Sequence, residues 1–242
     1  MANAIPTEQN NIRPVRAEPD DVAARIARQT LAERGAGYAA EVRALLDAAL
    51  ELMARCGTDS RPRVADIVAA AGLSNDAFYR HFRSKDDLVG ALLEDGAQRL
   101  AGYLAHQMGK EGTPEAKVRR WVEGILSQAE GDVATTTRAV LWNGGSVGGG
   151  QASGRHPATA SLAALLRDPF ATLGSADPDL DATLVAHATL GTLSDHLWQR
   201  ARATDAEVDA VTAFCLRVAA SGPGSAPAPA RSVKARRKRS GP

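Results

Sequence analysis

The residues whose types and spacing can do chemistry lie in one stretch, RVADIVAAAGLSNDAFYRHFRSK, from Arg63 to Lys85. Val64, Ile67 and Val68 have the spacing of a single inward helical face, which predicts a short helix over 64–71 closed by Gly72. A tight turn, Ala71-Gly72-Leu73-Ser74, follows; Gly72 suits the left-handed conformation such a turn needs, and Leu73 points back to the core. Ser74 caps a second short helix. In it Phe78 and Phe82, four residues apart, share the buried face, which leaves Asn75, Asp76, Ala77, Tyr79, Arg80 and His81 nearer to solvent. Two short helices about a tight turn, the second with donors in its first turn, match what a DNA major groove accepts. Asn pairs bidentately with adenine and Arg with guanine, while Asp76 either accepts from a cytosine amine or orients Arg80.

The elements that must position this segment are helical. Ala and Leu dominate the 44% hydrophobic share and aromatic residues make up 4%, a composition that favours helix over sheet and predicts an all-α chain. Residues 1–17 read as a disordered N-terminus. Val22, Ile26 and Leu31 mark an extra helix within 18–37 that Gly35 and Gly37 stop. Val42, Leu45, Leu46, Ala49, Leu50 and Met53 then predict a helix over 38–56, ended by Gly57. This helix and the two short ones make a DNA-binding domain over 38–95. Further helices are expected over 85–108, 114–130, 132–142, 159–167, 169–173, 180–201 and 205–219, the last opening with the capping box Thr204-x-x-Glu207. They form a larger domain over 96–220, and 221–242 is a basic tail after a Pro/Ala/Ser linker.

The pattern Val64, Ile67, Ala71, Gly72, Leu73, Ser74, Phe78, Tyr79, His81, Phe82, Lys85 and Leu88 resembles the signature of the TetR/AcrR family of bacterial regulators over about sixty residues. The resemblance implies that Tyr79, His81 and Lys85 bind phosphates and that Asn75, Asp76, Ala77 and Arg80 face bases. A hydroxyl, an imidazole and an ammonium at these spacings can straddle a nucleic-acid backbone. Arg63 stands where the family often has Ser or Thr, so a cap is lost and a phosphate contact is open to it. The family also implies a small-molecule pocket in the C-terminal domain, an effector partner and a homodimer. Tyr103, Trp121, Trp142, Phe170 and Trp198, scattered over different helices, together with His187, are the pocket candidates. The inventory favours an apolar or amphipathic effector. For the dimer, Ala182, Ala186, Ala188 and Gly191 offer close approach, and Val208, Val211, Cys215 and Val218 form a stripe, so the closing helix pair is expected to meet its symmetry mate.

Other chemistries lack support in the residues. Cys56 and Cys215 have no CxxC or CxxH neighbours, so neither a disulfide framework nor a metal site is expected. Gly144, Gly145, Gly148, Gly149 and Gly150 precede no GK[ST], which makes a surface loop rather than a phosphate cradle. His187 and His196 are not aligned on one helical face, and no catalytic constellation or cofactor motif is present. No apolar run approaches a membrane span, so a cytoplasmic, nucleoid-associated protein is expected. The reading is a ligand-responsive regulator, a repressor, that binds palindromic operator DNA as a dimer; the alternative is an effector-independent DNA-binding or architectural protein.

Net charge is only +1, but Arg231, Lys234, Arg236, Arg237, Lys238 and Arg239 are crowded into the tail, leaving the remainder net acidic. Deleting residues 229–242 should therefore lower affinity for any DNA and flatten its salt dependence, by roughly 0.9 in log–log slope for each lost phosphate contact. Titration of operator and unrelated DNA at several salt concentrations checks this, and an unchanged slope would show that the tail does not touch DNA.

Overall fold

The computed structural model describes residues 22–144 and 157–220. The expected disordered N-terminus, most of the glycine-rich run and the basic tail lie outside the described residues. Every regular element among the described residues is helical, with no strand. Contacts divide the chain into two units, residues 1–43 and 44–242.

The described part of the first unit is the opening of helix α1 (Val22–Cys56). The expected stop at Gly35 and Gly37 does not occur, and α1 is a single helix of 35 residues. Each glycine costs a helix interior only about 1 kcal/mol relative to Ala, and no proline follows to break it. Tyr38-Ala39-Ala40-Glu41 and the periodic run behind them carry the helix onward.

The second unit begins with the remainder of α1, whose Leu45, Leu46, Ala49 and Met53 are buried. Gly57 ends that helix at φ +57°, its N–H donating to the Met53 carbonyl at 2.9 Å. Helices α2 (Val64–Ala70), α3 (Asn75–His81) and α4 (Lys85–Met108) follow. Between α2 and α3, Gly72 has φ +68°, and the Leu73 N–H donates to Val68 O at 2.9 Å. Ile67, Phe78 and Leu88 are fully buried. The helix-turn-helix expected from the spacing is thus present.

Behind it come α5 (Pro114–Leu126), α6 (Gly131–Asn143), α7 (Pro157–Ala164), α8 (Arg167–Leu173), α9 (Pro178–Gln199) and α10 (Asp205–Ala219). The helix expected over 114–130 ends at Leu126 and passes into one 3₁₀ turn, Ser127–Ala129. Gly131 at φ +63° then redirects the chain into α6. The α10 capping box forms as expected: the Glu207 N–H donates to Thr204 Oγ1 at 3.3 Å, and the Thr204 N–H donates to Glu207 Oε2 at 2.8 Å. The core of this region is built on Leu104, Trp121, Ile125, Leu166, Phe170 and Val185, all fully buried. Helices α4 and α5 approach closely at Gly124, where a β-carbon would lie 2.2 Å from Leu104 Cδ2. Only a residue without a side chain lets the Leu104 side chain occupy that space.

The closing pair differs from expectation in which face it turns inward. Ala186 and Cys215 are completely buried, and Val208, Val211 and Val218 pack against the chain's own core. The period of the stripe correctly marks a buried face, but the core of the same chain already covers it. Of the residues expected at a dimer interface only Ala188 and Gly191 are exposed. The outward face of α9 instead carries Leu180, Leu184 and Trp198, at 50%, 55% and 47% exposure. Burial pushes the Cys215 thiol up to about 11, so it stays protonated and unreactive at neutral pH.

Within the core, the Trp121 indole donates to the Leu162 carbonyl at 3.0 Å and ties α5 to α7. Trp121→Phe removes that donor and part of the ring volume and should lower stability by about 2 kcal/mol. Chemical denaturation of the variant checks it; a loss below about 0.5 kcal/mol would mean the indole is not a structural tie.

Candidate functional site

Helix α3 is seven residues long, and its sequence sets both its ends and its facing. Ser74 Oγ accepts from the Ala77 N–H at 3.2 Å, which fixes the start. The Phe82 N–H donates back to Phe78 O at 2.9 Å as the backbone turns extended. Phe78 lies 5.6 Å from Phe82 and 5.2 Å, edge-on, from Tyr79, ring centre to ring centre. Phe78 is thus sunk into the core and braces the Tyr79 ring, whose hydroxyl end stays outside at 60% residue exposure.

Asn75, Asp76, Tyr79 and Arg80 are exposed, and His81 is half-buried at the last turn. Ala77, expected among the base-facing residues, is only 5% exposed and belongs to the core. It sits one residue before Phe78, the other buried residue of the helix. The exposed face of α3 is therefore Asn75, Asp76, Tyr79 and Arg80, with Ser74 acting as the helix cap. Arg63 is exposed immediately before α2, and no acceptor on an arginine side chain could cap that helix. Asp66 compensates from inside the first turn, accepting from the Arg63 N–H at 2.7 Å.

Lys85 differs from the others in its surroundings. It opens α4, and its ammonium donates to Pro62 O at 3.1 Å and to Asn143 Oδ1 at 3.0 Å. Burial, with the Arg61 guanidinium nearby, pushes its pKa below the ordinary lysine value. Asn143 is the last residue of α6, 2% exposed, and its own amide donates to Ala139 O at 2.9 Å. Beside it the Arg61 guanidinium lies 4.9 Å from the centre of the Trp142 ring, and Trp142 meets Trp198 of α9 edge-on at 6.5 Å. Sequence reasoning missed Asn143 and Arg61. Their only signal is a polar residue ending a helix and an arginine in a turn, 58 positions from Lys85 in the first case.

A cavity of about 690 Å³ lies among α1, α4, α6, α7 and α9. Its wall includes Leu50, Leu92, Leu93, Leu100, Leu141 and Leu190. None of the expected pocket aromatics lines it. Trp121 and Phe170 are locked into the core, while Tyr103, Trp142 and Trp198 are 55%, 40% and 47% exposed on the outside. His187 is exposed too, beside a small cleft of about 30 Å³ between α7 and α9. Aromatic rings here fill the core and mark the junction, and aliphatic side chains leave the void.

Among the described residues no cluster of His, Cys, Asp or Glu could hold a metal ion. No helix among them is long and apolar enough to cross a membrane.

Fold and module together define the class, a helix-turn-helix transcription regulator. Residues 45–92 match the family model of bacterial regulatory proteins, tetR family, and the DNA-binding segment is of that family. No curated protein matches the chain in sequence. Among solved structures, RolR in complex with resorcinol superposes with a TM-score of 0.57 at 19% identity, over 76% of this chain and 89% of that one. The likeness shows that the all-helical fold is shared. Reduced NemR from E. coli aligns at 16% identity over 74% and 96%, TM-score 0.47. FadR from Bacillus subtilis in complex with stearoyl-CoA aligns at 18% over 74% and 98%, TM-score 0.45.

Tyr79→Phe keeps the ring on Phe78 and removes only the hydroxyl. It should weaken binding to operator and unrelated DNA alike, by roughly 0.5–1.5 kcal/mol per module. A change in preferred operator with non-specific affinity intact would show instead that Tyr79 reads bases.

Proposed function

We propose that this chain is a ligand-responsive repressor that binds palindromic operator DNA as a homodimer and is released by a small effector entering the cavity among its helices. One observation carries the reading: α4, which leaves the helix-turn-helix at Lys85, is also a wall of the cavity, through Leu92, Leu93, Ala97 and Leu100. A molecule taken up there acts directly on the helix that holds the DNA module. An effector-independent regulator has no use for such a void, which sacrifices packing. At about 690 Å³ it falls within the usual range of small-molecule sites.

On DNA, Asn75, Asp76 and Arg80 read base edges, and Tyr79, His81 and Arg63 position the module on phosphates. Lys85 serves as the link to α6 and, where that link opens, as a further phosphate ligand. A seven-residue helix offers only a few reading side chains, each worth about 1–3 kcal/mol of discrimination. Two modules on a common frame supply what one lacks, with half-sites roughly 34–36 Å apart or a simple multiple of that.

The face proposed for the partner copy is the outer one of α9. Leu180, Leu184, Gly191 and Trp198 follow heptad-like spacing there and are exposed, and Phe214 of α10 is 38% exposed. Leu184→Asp, which reaches into no core, should convert dimer to monomer and cut operator affinity at least tenfold while monomer stability is kept. Analytical ultracentrifugation and operator titration test this together. A monomer that binds a single half-site with full wild-type affinity would overturn the dimeric reader.

A further inference from the structure

The charges around the cavity go further and point to a class of effector; this step rests on the reading of the void as an effector site. Three ionisable side chains border it, Asp95 and Arg99 of α4 and Asp132 of α6. Arg99 pairs with Asp95 through its Nη2, one helical turn away, which neutralises both. The Asp95 side chain is 21% exposed and the Arg99 side chain 61%, so the carboxylate sits in the wall and the guanidinium reaches outward. Asp132, in the exposed first turn of α6, makes no ion pair or hydrogen bond with any described residue. One turn along α6 Thr136 also lines the cavity, its hydroxyl without a partner among the described residues, and apart from Gln128, Thr137 and Ser194 the rest of the wall is aliphatic or glycine.

We infer that the effector is an aliphatic cationic amphiphile, its ammonium head at Asp132 and its chain among Leu93, Leu190 and Leu193. An anionic head is disfavoured, because it meets the Asp132 carboxylate and must compete with Asp95 for Arg99. A neutral head faces neither cost, but it gains nothing from Asp132. The absence of aromatic side chains from the described wall removes ring stacking as a source of affinity, so affinity follows apolar area and chain length. Because Asp132 is at the mouth, its pairing with an ammonium has the strength of a surface ion pair.

The probes are decylamine, decan-1-ol and decanoate, titrated calorimetrically into the full chain and into Asp132→Asn, each below its micelle concentration. All share one chain and differ only in the head. Decan-1-ol should bind, decylamine roughly fivefold tighter, and decanoate more weakly than either. Asp132→Asn should bring decylamine to the affinity of decan-1-ol and leave decan-1-ol unchanged, which also shows that the variant is folded. Decanoate binding as tightly as decylamine, or an amine preference that survives Asp132→Asn, would overturn the class while the effector site stands. Failure of decan-1-ol to bind would overturn the effector site itself, and the inferred class with it.

Discussion

A partly buried ammonium is held from two sides at the junction of the helix-turn-helix with the helices behind it. Lys85 takes one acceptor from the loop before α2, Pro62 O, and one from the end of α6, Asn143 Oδ1. A charge removed from water in this way needs its partners, since each hydrogen bond to it is worth about 1.5–3 kcal/mol and an unmet one costs its desolvation. The depressed pKa records that desolvation. Asn143 cannot turn away freely, because its amide is also bound to the Ala139 carbonyl. Beside it Arg61 lies on the Trp142 ring in a cation–π contact. The relative position of the start of α4, the loop before α2 and the end of α6 is thus written into a few short polar contacts.

In the proposed mechanism the same contacts let α4 act as a lever. Its first residue is in the junction, its middle turns line the cavity, and its end is fixed in the core by Leu104 and Met108 against α5. The close approach at Gly124 leaves that far end no slack. In that mechanism an effector too large for the existing void moves the two helices that Lys85 and Asn143 join, with the near end the one that yields. Asn143 would then release an ammonium beside the reading helix. In the proposed mechanism the lysine is shared between two masters, the phosphate backbone and α6, and the effector shifts its balance by pulling on the second.

Local spacing carried most of the fold. The turn at Gly72, the cap at Ser74, the box at Thr204 and Glu207 and the bounds of α10 are matters of a few neighbouring residues, and the sequence displays them. Two kinds of feature were not legible. Gly35 and Gly37 look like a stop because glycine is a poor helix former, yet two unfavourable residues are outweighed by the runs on both sides. Burial was the other. Ala77 and the stripe of Val208, Val211, Cys215 and Val218 follow a helical period that says which residues share a face, but not whether that face meets its own chain or another. The pocket aromatics failed for a related reason: large rings fill space well, so the void lies where Leu, Val and Ala run out of volume.

With Ala77 in the core, the exposed face of α3, the one proposed to read bases, is reduced to Asn75, Asp76, Tyr79 and Arg80, and this sharpens what the junction must do in that reading. In that reading few base contacts leave specificity dependent on where the module is placed, since the phosphate contacts proposed for Tyr79, His81 and Arg63 would set the register in which the remaining side chains meet their bases. A displacement of about 1 Å at the start of α4 is small beside the spacing of half-sites, but it is large beside the tolerance of a hydrogen bond, which weakens steeply with angle and length. Under the proposed mechanism, regulation of such a reader needs no unfolding and no large swing of a domain. It needs a stiff helix, a void beside it and a charged residue at the hinge with somewhere else to go, the parts assigned in that mechanism to α4, the cavity and Lys85.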